Sequence, residues 1–304
     1  MRAMNGGLKG LVGALALTAM AGTAFADGAP SRSMKDAPAV DEGRKFDWTW
    51  NIGGTSNYIF RGFSQSADKP AFQMGADLTY GMFYAGVWGS SIDFGSFTDI
   101  NGNAQQVGGF AEVDWYMGIK PVLGAVTFDL GVIYYTYPGA KDGNTVLTNK
   151  PYEWDYVELK AGASVSPLKN LTTGATLFYS PEYTNKQGST VTLEGTMGYE
   201  LPKVWIFTPT IGGTLGSQWA DGFNATKFAA LEPTYFAANG KDSYMYWNAG
   251  IALAVDKLTL DFRYWDTNVN ELGPVGTSLG TNTYCKQAVF QCDEKFVFSA
   301  KMTF

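Results

Sequence analysis

The chain has 304 residues, of which 45% are hydrophobic, 15% aromatic and only 16% charged, with 37 Gly, two Cys and no His. That composition is too aromatic and too poorly charged for a disordered chain, and too poor in Cys for a disulfide-scaffolded miniprotein. Without imidazole there is no Ser-His-Asp or Cys-His triad, no His general base and no His-based zinc site, and a formal net charge of -6 argues against a phosphate-binding surface for nucleic acid.

Residues 1–26 read as a secretory signal peptide. Arg2 and Lys9 supply a positive start, Leu11 to Ala21 an apolar stretch, and Ala24-Phe25-Ala26 a small-x-small cleavage site. A membrane anchor is the competing reading, but the charge-free stretch from Gly10 to Ala26 is at the short limit for a spanning helix and rich in Ala, Gly and Thr. Residues 27–45, with Pro30, Pro38 and mixed charge without periodicity, read as a flexible periplasmic leader. The folded body is expected over 46–304.

From Phe46 onward the hydrophobic period is two, with no convincing helix period. The predicted strands are Phe46 to Phe60, Ala71 to Tyr80, Phe83 to Phe94, Val107 to Ile119, Ala125 to Tyr137, Trp154 to Val165, Leu171 to Tyr183, Ser189 to Leu201, Val204 to Gln218, Tyr244 to Val255, Leu258 to Asp266 and Lys295 to Phe304. One face is apolar along many of them, as in Phe72, Met74, Ala76, Leu78 and Tyr80, while Gln73, Asp77 and Thr79 occupy the other. The connections alternate long and short: Gly81-Met82, Lys120 to Gly124, Ser166 to Asn170, Pro202-Lys203 and Asp256-Lys257 are tight, and those between them are longer. Short turns at one rim, longer loops at the other and an even strand number are the asymmetry of a transmembrane barrel. Strands of about ten residues, rising ~3.3 Å each and tilted by roughly 45°, cover about 23 Å along the membrane normal, close to the ~25 Å apolar band of such barrels.

Aromatic placement points the same way. Trp48, Trp50, Tyr80, Phe83, Tyr199, Trp205 and Phe207 fall near the predicted periplasmic strand ends. Tyr134, Tyr137, Trp154, Tyr156, Tyr179, Tyr246, Trp247, Tyr264 and Trp265 fall near the outer ends. Two girdles are what a bilayer with two interfaces selects. A soluble exported sandwich or lipocalin-like barrel also alternates apolar and polar positions, but has less reason to segregate its loops by length. The fold class expected is therefore all-β, an antiparallel up-and-down transmembrane barrel of about 12 strands.

Export to an oxidising compartment makes Cys285 and Cys292 interpretable as a disulfide that rigidifies a loop tip; a metal site there lacks other ligands. The last strand alternates cleanly and ends on Phe304, which resembles the C-terminus of outer-membrane barrels and implies the barrel-assembly machinery as a partner.

Four further blocks carry a resemblance. Ser56-Asn57-Tyr58-Ile59-Phe60-Arg61-Gly62-Phe63-Ser64-Gln65-Ser66, then Pro70-Ala71-Phe72-Gln73, then Phe83-Tyr84-Ala85-Gly86-Val87-Trp88-Gly89-Ser90, then Glu112-Val113-Asp114-Trp115-Tyr116-Met117-Gly118 make the chain similar to the TorF-type porin family of Gram-negative bacteria. The blocks cover about Trp50 to Gly118, and the loops Trp219 to Ser243 and Thr267 to Glu294 are longer than that family leads one to expect. The resemblance implies an outer-membrane channel.

If the apolar faces meet outer-membrane lipid, the polar faces line a lumen. Alternation then turns fourteen wall charges inward, ten acidic (Asp47, Asp77, Glu112, Asp114, Asp129, Glu158, Glu182, Glu194, Glu200 and Asp261) and four basic (Lys160, Arg263, Lys295 and Lys301). A wet lumen with that excess concentrates cations and repels anions. Arg61 faces inward near the outer rim, where it either forms part of a constriction or pairs with a carboxylate. The expectation is a porin-like channel for small hydrophilic solutes with a weak cation preference, with no catalytic residues, no cofactor, no metal, no nucleic-acid partner and room for homo-oligomers. The alternative is a non-conducting structural or adhesive barrel that acts through its outer loops.

Overall fold

The computed structural model describes residues 46–98, 104–106, 108–140, 153–184, 188–221, 243–269, 285 and 291–304. The predicted signal peptide and leader, and most of the two longest outer loops, lie outside the described residues.

Twelve strands form the wall: β1 Asp47–Thr55, β2 Ala71–Tyr80, β3 Phe83–Ser91, β4 Ala111–Ile119, β5 Val126–Thr136, β6 Tyr156–Leu168, β7 Leu171–Ser180, β8 Ser189–Glu200, β9 Thr208–Asp221, β10 Ser243–Val255, β11 Leu258–Thr267 and β12 Lys295–Thr303. Each pairs antiparallel with its neighbours in sequence, and β12 returns to pair with β1, Met302 opposite Ile52, so the sheet closes on itself. Closure removes every sheet edge, which is the condition for crossing hydrocarbon with strands. No helix among the described residues is long and apolar enough to cross a membrane.

The period-two pattern decides which way each side chain points. On β2, Phe72, Met74, Leu78 and Tyr80 are exposed on the outside while Gln73 and Asp77 are buried inside. On β4, Trp115 and Met117 face out and Glu112, Asp114 and Tyr116 face in. An apolar exterior around a polar interior inverts the soluble arrangement, as lipid requires.

Several predicted boundaries move. The first wall strand stops at Thr55, not Phe60, because the chain leaves the wall at Ser56, whose N–H makes a last bond to the carbonyl of Phe298 (2.8 Å). Near Val204 the chain makes a tight turn bridged to Phe207, with Trp205 at φ 55°, and the strand begins only at Thr208.

The expected outer girdle is also revised. Tyr156, Tyr246 and Trp265 are buried inside the barrel, and Tyr137 and Trp154 pack against the interior cluster that holds Tyr156. Strand parity sets their side: β11 turns Asp261, Arg263, Trp265 and Thr267 inward together. Tyr134, Tyr179 and Trp219 remain exposed near the outer ends, and Trp48, Trp50, Tyr80, Phe83, Tyr199 and Trp205 near the other rim.

Candidate functional site

The candidate site is the interior, and its centre is a segment that belongs to no wall strand. After Ser56 the chain turns inside the barrel, where Ile59–Phe60 and Phe63–Ser64 pair as a small hairpin. Its turn residues, Arg61 at φ 48° and Gly62 at φ 89°, both lie in the left-handed region, as a two-residue primed turn requires. A side chain on Gly62 would run into Thr267 and Tyr246, so the position needs glycine for both conformation and space.

Asn57 fastens the base of the hairpin. Its amide nitrogen donates to Asp68 (2.5 Å), and its carbonyl oxygen accepts from the Ser64 hydroxyl (2.7 Å). The Ser66 hydroxyl accepts from the Tyr58 N–H (3.0 Å) and donates to the Lys69 carbonyl (2.7 Å). At the mouth, the Lys69 ammonium donates to Asp93 (2.6 Å), which also accepts the Gly95 N–H (2.9 Å). These bonds hold the Asp93 carboxyl below its ordinary range.

The hairpin reaches walls on both sides of the barrel. Arg61 makes a two-pronged pair with Glu158 of β6, both contacts at 2.8 Å, and its guanidinium lies over the Phe178 ring of β7, 4.9 Å from the centroid. Across the lumen, the Tyr244 hydroxyl of β10 donates to the Arg61 carbonyl (3.0 Å). Tyr135 of β5 donates to Glu158 (3.0 Å), and the Tyr58 hydroxyl sits 3.3 Å from both oxygens of Glu112 on β4. Phe63 meets Tyr244 edge-on at 5.2 Å, in a cluster that also holds Val269 and the disulfide-bonded Cys285 and Cys292. Arg61 therefore pairs with a carboxylate, one of its two expected roles, and by doing so fixes a segment that narrows the lumen.

Most of the remaining expected lining residues also point inward, where several pair with neighbouring wall side chains. Lys160 donates to Asp129 (2.6 Å), with Lys120 3.8 Å away and the Tyr84 hydroxyl donating to the other oxygen (2.6 Å). Arg263 grips Asp261 through two nitrogens (3.0 and 2.9 Å) and donates to Asn248 (2.7 Å). Tyr116 donates to Asp77 and Tyr246 to Glu194, both at 2.5 Å. Lys301 is half-buried toward the short-turn rim, opposite Gly53 and Thr259. Asp47 and Glu182, expected inside, are exposed at the ends of the wall.

In the outer half the inward charges are buried rather than open to water. Asp114 and Glu158 are both 0% exposed, which is incompatible with facing open water. Charges taken out of water need partners, and the aromatic interior brings those partners together. Toward the short turns several inward positions are small and half-buried, as with Thr127, Thr172, Thr196 and Thr259. The barrel is packed at the loop end and roomier at the turn end.

Sequence reasoning missed Asn57, Tyr58, Tyr135, Phe178 and Tyr244 as parts of the site. The usable signal was Phe60-Arg61-Gly62-Phe63, a glycine-containing two-residue turn between apolar residues, which reads as a hairpin in its own right. At the other end, Phe304 extends the wall. Its N–H donates to the Trp50 carbonyl (2.8 Å), and its ring stacks on Trp50 at 4.1 Å.

A closed twelve-stranded ring, apolar outside and polar inside, defines the molecule as a transmembrane-type antiparallel β-barrel. The chain belongs to the Gcw_chp family, described as a bacterial protein of unknown function, whose model matches residues 41–304. No curated protein matches it. Among solved structures it is similar to a NanC porin, with 12% identity and a TM-score of 0.44 over 84% of this chain and 98% of that one. It is also similar to the outer membrane channel DcaP of Acinetobacter baumannii, with 12% identity and a TM-score of 0.39 over 85% and 97%. LpxR from Salmonella typhimurium is comparable, with 7% identity and a TM-score of 0.43 over 84% and 99%.

Proposed function

We propose that the protein is an outer-membrane channel for small hydrophilic solutes, narrowed from within by the Asn57–Ser66 segment, with a weak preference for cations. The observation that carries this reading is the hairpin, held inside a closed polar barrel by Arg61 on Glu158. An inward-folded loop is a device for setting the width of a passage, and lining charges then set which ions enter it. The resemblance of this same segment to TorF-type porins agrees with the reading. The chain holds no His, so hydrolase chemistry that depends on imidazole is closed to it.

A second reading rests on a specific observation. Near-complete burial of Glu112, Asp114 and Glu158 is also what a plugged, non-conducting barrel would have. Planar-bilayer recording of the refolded mature chain separates the two. The channel reading expects small unitary steps from the native protein and larger ones when Ile59–Ser64 is replaced by a short Gly-Ser link. Silence from both proteins removes it and leaves the structural barrel. A salt-gradient reversal potential tests selectivity, and an anion preference would contradict the charge argument.

A further inference from the structure

The Cys285–Cys292 disulfide does not sit where a stiffened loop tip would. Both residues are buried, 0% and 1% exposed, in a cluster with the inward-facing Tyr244 and Tyr246 and with Val269. Phe63, beside the hairpin turn, packs on that cluster. The hairpin is also bonded to the backbone next to the crosslink, where the Ser64 N–H donates to the Gln291 carbonyl (2.8 Å). Cys292 is held in turn: its N–H donates to the Cys285 carbonyl (3.2 Å), and its own carbonyl accepts from the Thr267 hydroxyl (2.9 Å). Thr267 is the side chain against which Gly62 is seated.

The hairpin is thus fastened from two directions by unlike means. On one side, Arg61 and Tyr58 meet the carboxyl groups of Glu158 and Glu112 through breakable polar contacts. On the other, Phe63 and Ser64 meet a stretch of chain whose position is set by a covalent bond. That stretch belongs to the connection from Thr267 to Lys295, and so long a connection has many ways to place Gln291 and Cys292 away from the lumen. Joining Cys292 to Cys285 takes the residues between them out of its free length and fixes the carbonyl that accepts from Ser64. We propose that the Cys285–Cys292 crosslink is a strap that positions the Arg61 hairpin in the lumen, so that the width of the passage depends on this bond. The effect on width rests on the channel reading, whereas the fastening itself would be measured equally in a silent barrel.

The test uses the refolded, oxidised mature barrel in detergent, with folding confirmed for each variant by gel mobility. Hydrogen exchange is read by mass spectrometry on segments covering 57–66 and, as an internal reference, on β8. The paired substitution Cys285→Ala with Cys292→Ala should speed exchange across 57–66 by about tenfold or more and leave β8 at its native rate. Phe63→Ala keeps the crosslink but removes the ring that rests on its cluster, and should speed the same segment; it decides the matter if the paired variant fails to refold. In planar bilayers the paired variant should pass larger unitary steps than the native barrel. The proposal is overturned if either folded variant leaves 57–66 at the native rate, as a disulfide that only stiffens its own loop predicts for the cysteine pair. It is equally overturned if β8 loosens as much as the hairpin, or if the hairpin is released while a conducting barrel keeps its native step. Faster exchange in a barrel that is silent in both forms retains the strap and removes the channel reading instead.

Discussion

Arg61 carries a left-handed backbone, a costly conformation for a residue with a side chain, and is repaid by its two-pronged grip on Glu158. Removing one partner of a buried pair costs about 3–5 kcal/mol while the site stays dry. Arg61→Ala should therefore free the hairpin rather than unfold the wall. The expected outcome is a larger unitary conductance with an intact barrel by gel mobility. The double substitution Arg61→Met with Glu158→Leu removes both charges and should recover most of the urea stability lost by Arg61→Ala, a non-additivity that a double-mutant cycle reads directly. Gly62→Val meets both a forbidden φ and the side chains of Thr267 and Tyr246. It should displace the hairpin at least as fully as Arg61→Ala.

At the level of elements, the wall strands were legible because lipid imposes a strict alternation, and the alternation is written one residue in two. β2 shows this best: its predicted and observed limits coincide at Ala71 and Tyr80. The first strand was over-extended because Ile59, Phe60 and Phe63 continue an apolar pattern while serving a different surface, the inside of the barrel. Periodicity reports that a residue is in a strand; it does not report which sheet the strand joins. The outward face makes its own prediction. Leu193 sits midway along β8, exposed on the outer surface opposite Leu177 and Ser217. Leu193→Arg should cost about 2–4 kcal/mol in lipid vesicles, the depth-dependent cost of a charge at the bilayer centre. A barrel surrounded by water would tolerate the same change, so an unaltered urea midpoint would contradict the membrane assignment.

For the molecule as a whole, the ring and its inside-out polarity could be read from the chain, whereas the way the interior is filled could not. Alternation gives the face on which a charge lies, but Lys160 with Asp129, or Arg61 with Glu158, are pairs set by which strand stands beside or across from which. Such relations between distant strands leave no trace in local spacing. The same limit explains the displaced aromatics: Tyr246 and Trp265 look like girdle residues by position along their strands, and only parity turns them inside.

The closure of β12 on β1 bears on how the ring comes to exist. All the other wall ladders join neighbours in sequence, yet the Ser299 hydroxyl meets that of Thr55 across 244 residues. Loop-closure entropy for so long a span adds about 5 kcal/mol beyond the fixed cost of bringing two ends together. Eleven hairpin-like pairings can therefore form early and locally, but the seam joins the two wall strands farthest apart in sequence and is made last. Until then the sheet carries two open edges, the form in which strand proteins pair with the wrong partner. Deleting Phe304 removes two backbone bonds and a ring stack from that seam, worth about 2 kcal/mol together. In vesicle refolding it should slow the final phase and divert chains to aggregate while leaving earlier phases unchanged, which marks the seam as the kinetic bottleneck of assembly.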